Sequence, residues 1–157
     1  MIDFDQVLSI VKAFNREGVE YKVFGGVAVN FHGIPRTTDD VDFFVAPSPE
    51  NVGRIKRALR SIWDDPNLDE VKDDDMLGDY PSFTYDPPNE SFGIDVVSRL
   101  GEAFAYDDLD AETREIRGVP VRFVTAETLY RMKRDTVRAI DKIDALKLRE
   151  RFDLKEP

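Results

Sequence analysis

Two aspartates, Asp40 and Asp42, stand two residues apart where an apolar run begins. Side chains at positions i and i+2 of a β-strand point to the same face, about 7 Å apart. The two carboxylates can therefore converge, while Val41 and Phe43 enter the core. Two like charges at the start of an apolar strand repel each other and lose hydration unless a cation lies between them. Because oxygen ligands suit Mg²⁺, which substrate phosphates often complete, the pair predicts a divalent-metal site.

A glycine pair, Gly25-Gly26, ends the preceding apolar run. Glycine has no Cβ, so the backbone N–H groups of such a turn can approach a phosphate closely. A glycine pair alone is equally typical of an ordinary tight turn. Its place just ahead of the two aspartates favours a phosphate-binding turn.

Together these stretches resemble the nucleotidyltransferase superfamily that includes DNA polymerase beta. Its signature is a hydrophobic residue, Gly-(Gly/Ser), a short helix, Asp-x-Asp and a distant third carboxylate. The run from Arg36 to Asp42 is similar to the Arg-x-Thr-x-Asp-hydrophobic-Asp variant of minimal bacterial enzymes. Among these, the toxin-type enzymes of abortive-infection operons look closest, and the lincosamide nucleotidyltransferases are similar in layout.

The resemblance supplies a role for Asp95, a single charge inside the apolar run from Phe92 to Val97. A lone ionised carboxylate in a buried strand is costly unless it is paired or metal-bound. An edge-strand position that faces water is one explanation. The resemblance implies another, in which Asp95 is the third metal ligand and the general base.

The expected fold is α/β, with a nucleotidyltransferase-type mixed β-sheet flanked by helices and a short helical C-terminal region. The resemblance also implies Mg²⁺ or Mn²⁺ as cofactor and an NTP as substrate. The expected catalytic and metal-binding residues are then Asp40, Asp42 and Asp95. In a two-metal displacement, one ion lowers the pKa of the attacking hydroxyl and the other binds the triphosphate and the leaving pyrophosphate.

A second motif, from Lys133 to Asp144, resembles the Lys-x(4)-Arg-x-x-Asp-x-x-Asp element that closes many bacterial nucleotidyltransferases of this type. It implies that Lys133 contacts the triphosphate, that Arg138 lies between two helices, and that Asp141 and Asp144 hold Arg138 or Lys133 in place. Ordinary charge pairing on a helix surface would give the same pattern. The sequence departs from the element at Ala139-Ile140, where Pro or Lys is usual.

Arg36 and Thr38 lie in the loop that leads to Asp40. With Gly25, Gly26 and Lys133 they complete the expected nucleotide-binding set. Arg36 either contacts a phosphate or pairs with a neighbouring aspartate. For Thr38, a hydrogen bond within the turn competes with a contact to the nucleotide.

The elements that position these residues follow from periodicity and caps. Asp3, with Gln6, predicts the start of a first helix that Gly18 ends, and Ser48 predicts the start of another, with a buried stripe of Val52, Ile55, Leu59 and Ile62. A short helix is predicted from Val27 to Phe31. The predicted strands are about 19–24, 41–45, 82–85, 93–98, 112–116 and 119–124, and the last two helices are about 126–136 and 140–152.

Composition bounds the function. A length of 157 residues with 41% apolar content predicts a single domain, whose helical C-terminal part is about 126–157. No apolar run is long enough to span a membrane and no signal segment opens the chain, so no membrane contact is expected. The absence of Cys excludes disulfides and thiolate catalysis and fits a cytoplasmic location.

The net charge of −10 is concentrated in one segment, where eight carboxylates crowd residues 64–79. A solvated acidic loop is the simpler interpretation, and attraction of a cationic substrate or partner is the other. Apolar residues in the segment favour a lid or docking surface outside the catalytic core, with a turn of helix near 68–72.

The leading hypothesis is a metal-dependent nucleotidyltransferase that moves an NMP from an NTP to a hydroxyl acceptor. The acceptor is a tRNA or other RNA 3′ end, a protein or a small molecule. A toxin-type enzyme implies an antitoxin partner. The alternatives are an antibiotic nucleotidyltransferase that acts on a lincosamide or aminoglycoside, and a non-catalytic module that binds a nucleotide or a partner.

Overall fold

The computed structural model describes residues 2–72 and 81–155. Within these ranges the strands are β1 Tyr21–Phe24, β2 Asp40–Val45, β3 Ser82–Tyr85, β4 Gly93–Val97, β5 Arg99–Leu100, β6 Phe104–Ala105, β7 Ala111–Ile116 and β8 Val119–Val124. The helices are α1 Phe4–Glu17, α2 Gly25–Phe31, α3 Pro49–Ile62, α4 Ala126–Arg134 and α5 Ala139–Phe152, with 3₁₀ turns at Pro66–Glu70 and Tyr106–Asp108. None of the described helices combines the length and apolar character needed to cross a bilayer.

Six strands form one mixed sheet in the order β3-β4-β2-β1-β8-β7, and β5 pairs with β6 in a separate small hairpin. The central strand β2 runs antiparallel to β1 and parallel to β4. Because β2 and β4 are adjacent and run in the same direction, their first residues lie at the same end of the strands. The predicted α/β fold with a mixed sheet and flanking helices is confirmed.

The sheet buries different side chains on its two faces because neighbouring residues of a strand alternate. On one face, Phe14 of α1 packs against Phe43 and Tyr21, with ring centroids 4.6 and 5.8 Å apart respectively. On the other face, Phe24 packs against Phe44 at 5.6 Å. Asp42 lies two residues from Phe44 and shares this second face.

The predicted helix caps are confirmed. The Asp3 carboxylate accepts the Gln6 N–H at 2.8 Å, and the Gln6 side chain accepts the Asp3 N–H at 3.0 Å. Gly18 ends α1 in the left-handed conformation, with φ of 72°. Ser48 accepts the Asn51 N–H at 3.2 Å and begins α3. Local hydrogen-bond chemistry therefore fixes where these helices begin and end.

Other details differ from expectation. The short second helix begins at Gly25 rather than near Val27, and α4 ends at Arg134. Ile62 was expected in the buried stripe but is 37% exposed, because α3 ends there and Trp63 packs against the core instead. The hairpin of β5 and β6 was not expected, since strands of two residues are too short to show a period.

The first part of the acidic segment packs on the hydrophobic core. Leu68, in the first 3₁₀ turn, is fully buried. The Tyr85 hydroxyl donates a hydrogen bond to Asp65 at 2.9 Å. This anchoring corrects the expectation of a lid for residues 64–72, because one buried leucine is enough to fix a short turn. Residues 73–79 of the segment lie outside the described residues.

We expect Leu68→Ala to lower the free energy of unfolding by about 2–4 kcal/mol, because it leaves a cavity in the core. Asp69→Ala is the matched control in the same turn. Its side chain is 72% exposed and paired with Arg60, so its loss should cost less than about 1 kcal/mol. Urea unfolding measures both values. Equal values for the two variants would show that residues 64–72 are not part of the core.

Candidate active site

The parallel pairing of β2 with β4 places the predicted carboxylates together. Asp42 is the register partner of Asp95, and Asp40 is the partner of Gly93. The three aspartates border a cavity of about 340 Å³. Ten of the eleven predicted site residues line it: Gly25, Gly26, Arg36, Thr38, Asp40, Asp42, Asp95, Lys133, Arg138 and Asp141. The eleventh, Asp144, is buried behind Lys133.

The carboxylates of the site are partly buried and repel one another. Burial raises the pKa of Asp42 to about 7, and the charge of Asp95 and a hydrogen bond with it add to the rise. Burial and the charge of Asp95 also raise the pKa of Asp40. A cation between these groups would relieve the repulsion.

Asp95 is held by a neighbour that the sequence did not suggest. The Thr84 hydroxyl donates a hydrogen bond to Asp95 Oδ1 at 2.7 Å. Thr84 lies on β3, directly opposite Asp95 in the antiparallel pair. Since β4 lies between β3 and β2, the edge-strand explanation of Asp95 is wrong.

Two glycines make room for the carboxylates. Gly25 has φ of +70°, and a Cβ there would clash with Asp42 Oδ2. A Cβ at Gly93 would lie 2.6 Å from Asp40 Oδ1. Gly93 was not among the predicted site residues. Its signal was a glycine inside an apolar strand, which often marks a close approach of another group.

The cationic side of the cavity comes from the C-terminal helices. Lys133 Nζ lies 3.0 Å from Asp141 Oδ1 and 3.0 Å from Asp144 Oδ2. The single Nε–H of Arg36 also donates a bifurcated hydrogen bond to Asp144, whose two carboxylate oxygens lie 3.1 and 3.2 Å from Nε. With side chains 11% and 1% exposed, Asp141 and Asp144 are not ordinary surface charges.

The remaining predicted residues take simpler positions. Arg36 pairs with Asp144, distant in sequence, rather than with a neighbouring aspartate. Arg138 is 69% exposed and lies 3.9 Å from Asp141. Burial acts to raise the pKa of Asp141, but the hydrogen bond and charge of Lys133 outweigh it and the net shift is downward. The Thr38 hydroxyl donates to the Asp40 carbonyl at 2.9 Å and so braces the turn.

The donor set fits a hard divalent cation, because carboxylate oxygens are the ligands that Mg²⁺ and Mn²⁺ prefer. The raised pKa of Asp42 beside Asp95 fits the same interpretation. Across the described residues, no group of three or more His, Asp or Glu side chains already stands in metal-binding geometry. The carboxylates therefore suit the ion by their chemistry and charge, but they do not form a complete coordination geometry.

A mixed sheet that carries paired aspartates beside a glycine turn is the arrangement of a nucleotidyltransferase. Residues 23–139 match the family model described as "Nucleotidyl transferase AbiEii toxin, Type IV TA system", and the chain belongs to this family. The expected family resemblance is thereby confirmed. No curated protein sequence matches significantly.

Two solved structures share the fold. An antigenic nucleotidyltransferase-like protein from Paracoccidioides brasiliensis is 18% identical, with a TM-score of 0.60 over 90% of this chain and 73% of that one. ANT(2")-Ia, solved in complex with adenylyl-2"-tobramycin, is 14% identical, with a TM-score of 0.55 over 92% of this chain and 85% of that one. At these identities the likeness establishes the fold alone.

In metal-free buffer, we expect Asp42→Asn to raise the free energy of unfolding by about 1–2 kcal/mol at pH 7 and above. The folded pKa of about 7 lies above the ordinary 3.8, so the unfolded chain loses this proton first and wild-type stability falls as pH rises between these values. Because the cavity is open to water, the gain in the free energy of unfolding should be smaller than the full shift in the pKa of Asp42 would give. Below about pH 4 both states are protonated and the gain should vanish. Urea unfolding across this range checks it, and identical pH profiles for the two proteins would contradict it.

We expect Lys133→Met to lower the free energy of unfolding by about 3 kcal/mol, because it leaves two buried carboxylates without their shared cation. A lysine with a side chain only 8% exposed is part of the folded structure as well as of the cavity. Lys12→Met, at an exposed position of α1, is the matched control and should change stability by less than about 0.5 kcal/mol. Equal stability of the two variants would show that Lys133 has no structural role.

Proposed function

We propose that this member of the AbiEii nucleotidyltransferase family is a metal-dependent enzyme that transfers an NMP from an NTP to a hydroxyl acceptor. One observation carries the proposal: a single cavity is lined by Asp40, Asp42 and Asp95 and by Lys133. Carboxylates that need a cation and a lysine that can meet a phosphate are the two halves of a phosphoryl-transfer site.

The proposed reaction uses the chain's own groups as follows. The acceptor oxygen attacks the α-phosphorus, a new P–O bond forms, and the P–O bond to pyrophosphate breaks. Asp95 takes the proton of the attacking hydroxyl, and Thr84 orients its carboxylate through the 2.7 Å hydrogen bond. Asp40, Asp42 and Asp95 would hold the divalent ions, which when bound lower the pKa of that hydroxyl and neutralise the phosphates.

Lys133 and the glycine turn are proposed to bind the triphosphate. An ammonium has three donors, and two of those of Lys133 already meet Asp141 and Asp144. The third remains for a phosphate oxygen. Gly25 and Gly26 border the same cavity and leave backbone N–H groups accessible. Arg36, braced by Asp144, and Arg138 at the rim supply further positive charge.

The family description favours a toxin-type acceptor, a tRNA or a protein, with an antitoxin as partner and the cytoplasm as the place of action. A small-molecule acceptor is the second candidate. The net charge of −10 would attract a cationic aminoglycoside, and the solved ANT(2")-Ia complex contains adenylyl-2"-tobramycin. A non-catalytic module is less well supported, since all three carboxylates are in place at the cavity.

We expect wild-type protein to bind a non-hydrolysable NTP in calorimetry only when Mg²⁺ or Mn²⁺ is present. Asp42→Asn should weaken that binding by at least about a hundredfold, because loss of a buried charged ligand is worth roughly 3 kcal/mol. Asp64→Asn, whose carboxylate is 95% exposed, is the control and should bind as wild type does. Metal-independent binding, or unchanged binding in Asp42→Asn, would refute the proposed site.

The acceptor is then identified by transfer of label. Wild type and Asp42→Asn are incubated with each α-labelled NTP and with total tRNA, a protein extract, or a panel of aminoglycosides and lincosamides. Label transferred to RNA or protein by wild type alone supports the toxin-type proposal. Label on a drug alone supports the second candidate.

A further inference from the structure

The outward face of α5 carries a row of exposed side chains that the proposed chemistry does not use. Lys142, Leu146 and Glu150 follow one another four residues apart, so they lie on one face of the helix. Leu146 is 54% exposed, and Ile143 beside it is 47% exposed. Along the helix the row changes from basic through apolar to acidic.

The charges on the two faces of α5 have different partners. Asp141 and Asp144 turn inward and bind Lys133. On the outward face, neither Lys142 nor Glu150 meets an opposite charge anywhere in the described part of the chain. The row Lys142, Leu146 and Glu150 thus has an apolar centre and two ends of opposite sign, with the exposed Lys147 and Arg149 beside it.

This order of charges is complementary to itself when the helix direction is reversed. A two-fold axis through Leu146 brings Leu146 against its own copy. The same rotation places Lys142 of one copy opposite Glu150 of the other, because each lies four residues from the axis. The two-fold symmetry produces two such Lys142–Glu150 pairs, as in any isologous contact.

We propose that the outward face of α5 is the contact surface of a homodimer, in which two α5 helices pack antiparallel about an axis at Leu146. The two Leu146 side chains form the apolar centre and Ile143 of each copy flanks it. Lys142 and Glu150 pair across the interface at both ends.

The ends of the helix extend the same pattern. Arg138 precedes α5 and Asp153 caps it, and the rotation brings Arg138 of one copy close to Asp153 of the other. Arg138 also lines the cavity, so the interface reaches the cavity rim.

The expected association is weak. Each copy contributes one helix of 14 residues, about 21 Å long, which places the interface at the low end of the size range for specific complexes. We therefore expect a concentration-dependent equilibrium rather than a permanent dimer.

Sedimentation velocity of the full chain, from low micromolar to millimolar concentration, tests the proposal without any assumption about activity. Wild type should shift from monomer to dimer. Lys142→Glu and Glu150→Lys should each weaken the dimer by about tenfold or more, because symmetry places each like-charge contact twice. The double variant with both charges exchanged should recover wild-type affinity, since it restores both pairs in reversed order.

A second measurement locates the axis. The chain has no Cys, so a single Cys introduced at position 146 is the only thiol. A short bismaleimide should link Leu146→Cys into dimers efficiently, and should link Glu102→Cys, on the exposed turn between β5 and β6, poorly. A wild type that stays monomeric throughout, a double variant that stays weak, or equal linking at both positions would each overturn the proposal.

Discussion

The site depends on one constraint, the parallel register of β2 with β4. That register puts Asp42 beside Asp95, and the backbone hydrogen bonds of a central strand do not let either residue move away. Burial and proximity then keep the two carboxylates in an unfavourable state, which the raised pKa of Asp42 records. This electrostatic cost is what the proposed cation would offset.

The rest of the site is arranged around that negative centre. Two cationic side chains face it, Lys133 from α4 and Arg36 from the loop before β2. A single buried carboxylate, Asp144, forms ion pairs with both. Lys133 and Arg36 are therefore fixed relative to each other by a group that does not line the cavity. This arrangement makes the C-terminal helices structural members of the site, because α4 and α5 carry three of the four groups in the network.

Sequence patterns predicted what is local and missed what is distant. The Asp-x-Asp spacing, the glycine pair and the caps at Asp3 and Ser48 depend on neighbours within a few residues, and each could be read directly. The pairing of Arg36 with Asp144 joins residues 108 apart, and no periodicity encodes it. Thr84 beside Asp95 depends on the register of an antiparallel pair. Residues 64–72 were misplaced as a lid for a related reason, since the burial of Leu68 overrides the acidic composition around it.

Charge also couples the two ligands of the proposed site. Asp40, Asp42, Asp95, Asp141 and Asp144 stand against three cations, Arg36, Lys133 and Arg138. Two of those cations already share Asp144, so the side chains alone leave the cavity net negative, even with Asp42 protonated. A triphosphate entering such a cavity would meet repulsion from the carboxylates with little free positive charge to offset it. Divalent ions bound there would reverse that sign, because each adds two positive charges at the point where the carboxylates converge. Under the proposed function, nucleotide affinity and metal affinity would then rise together, because each ligand supplies the charge that the other lacks.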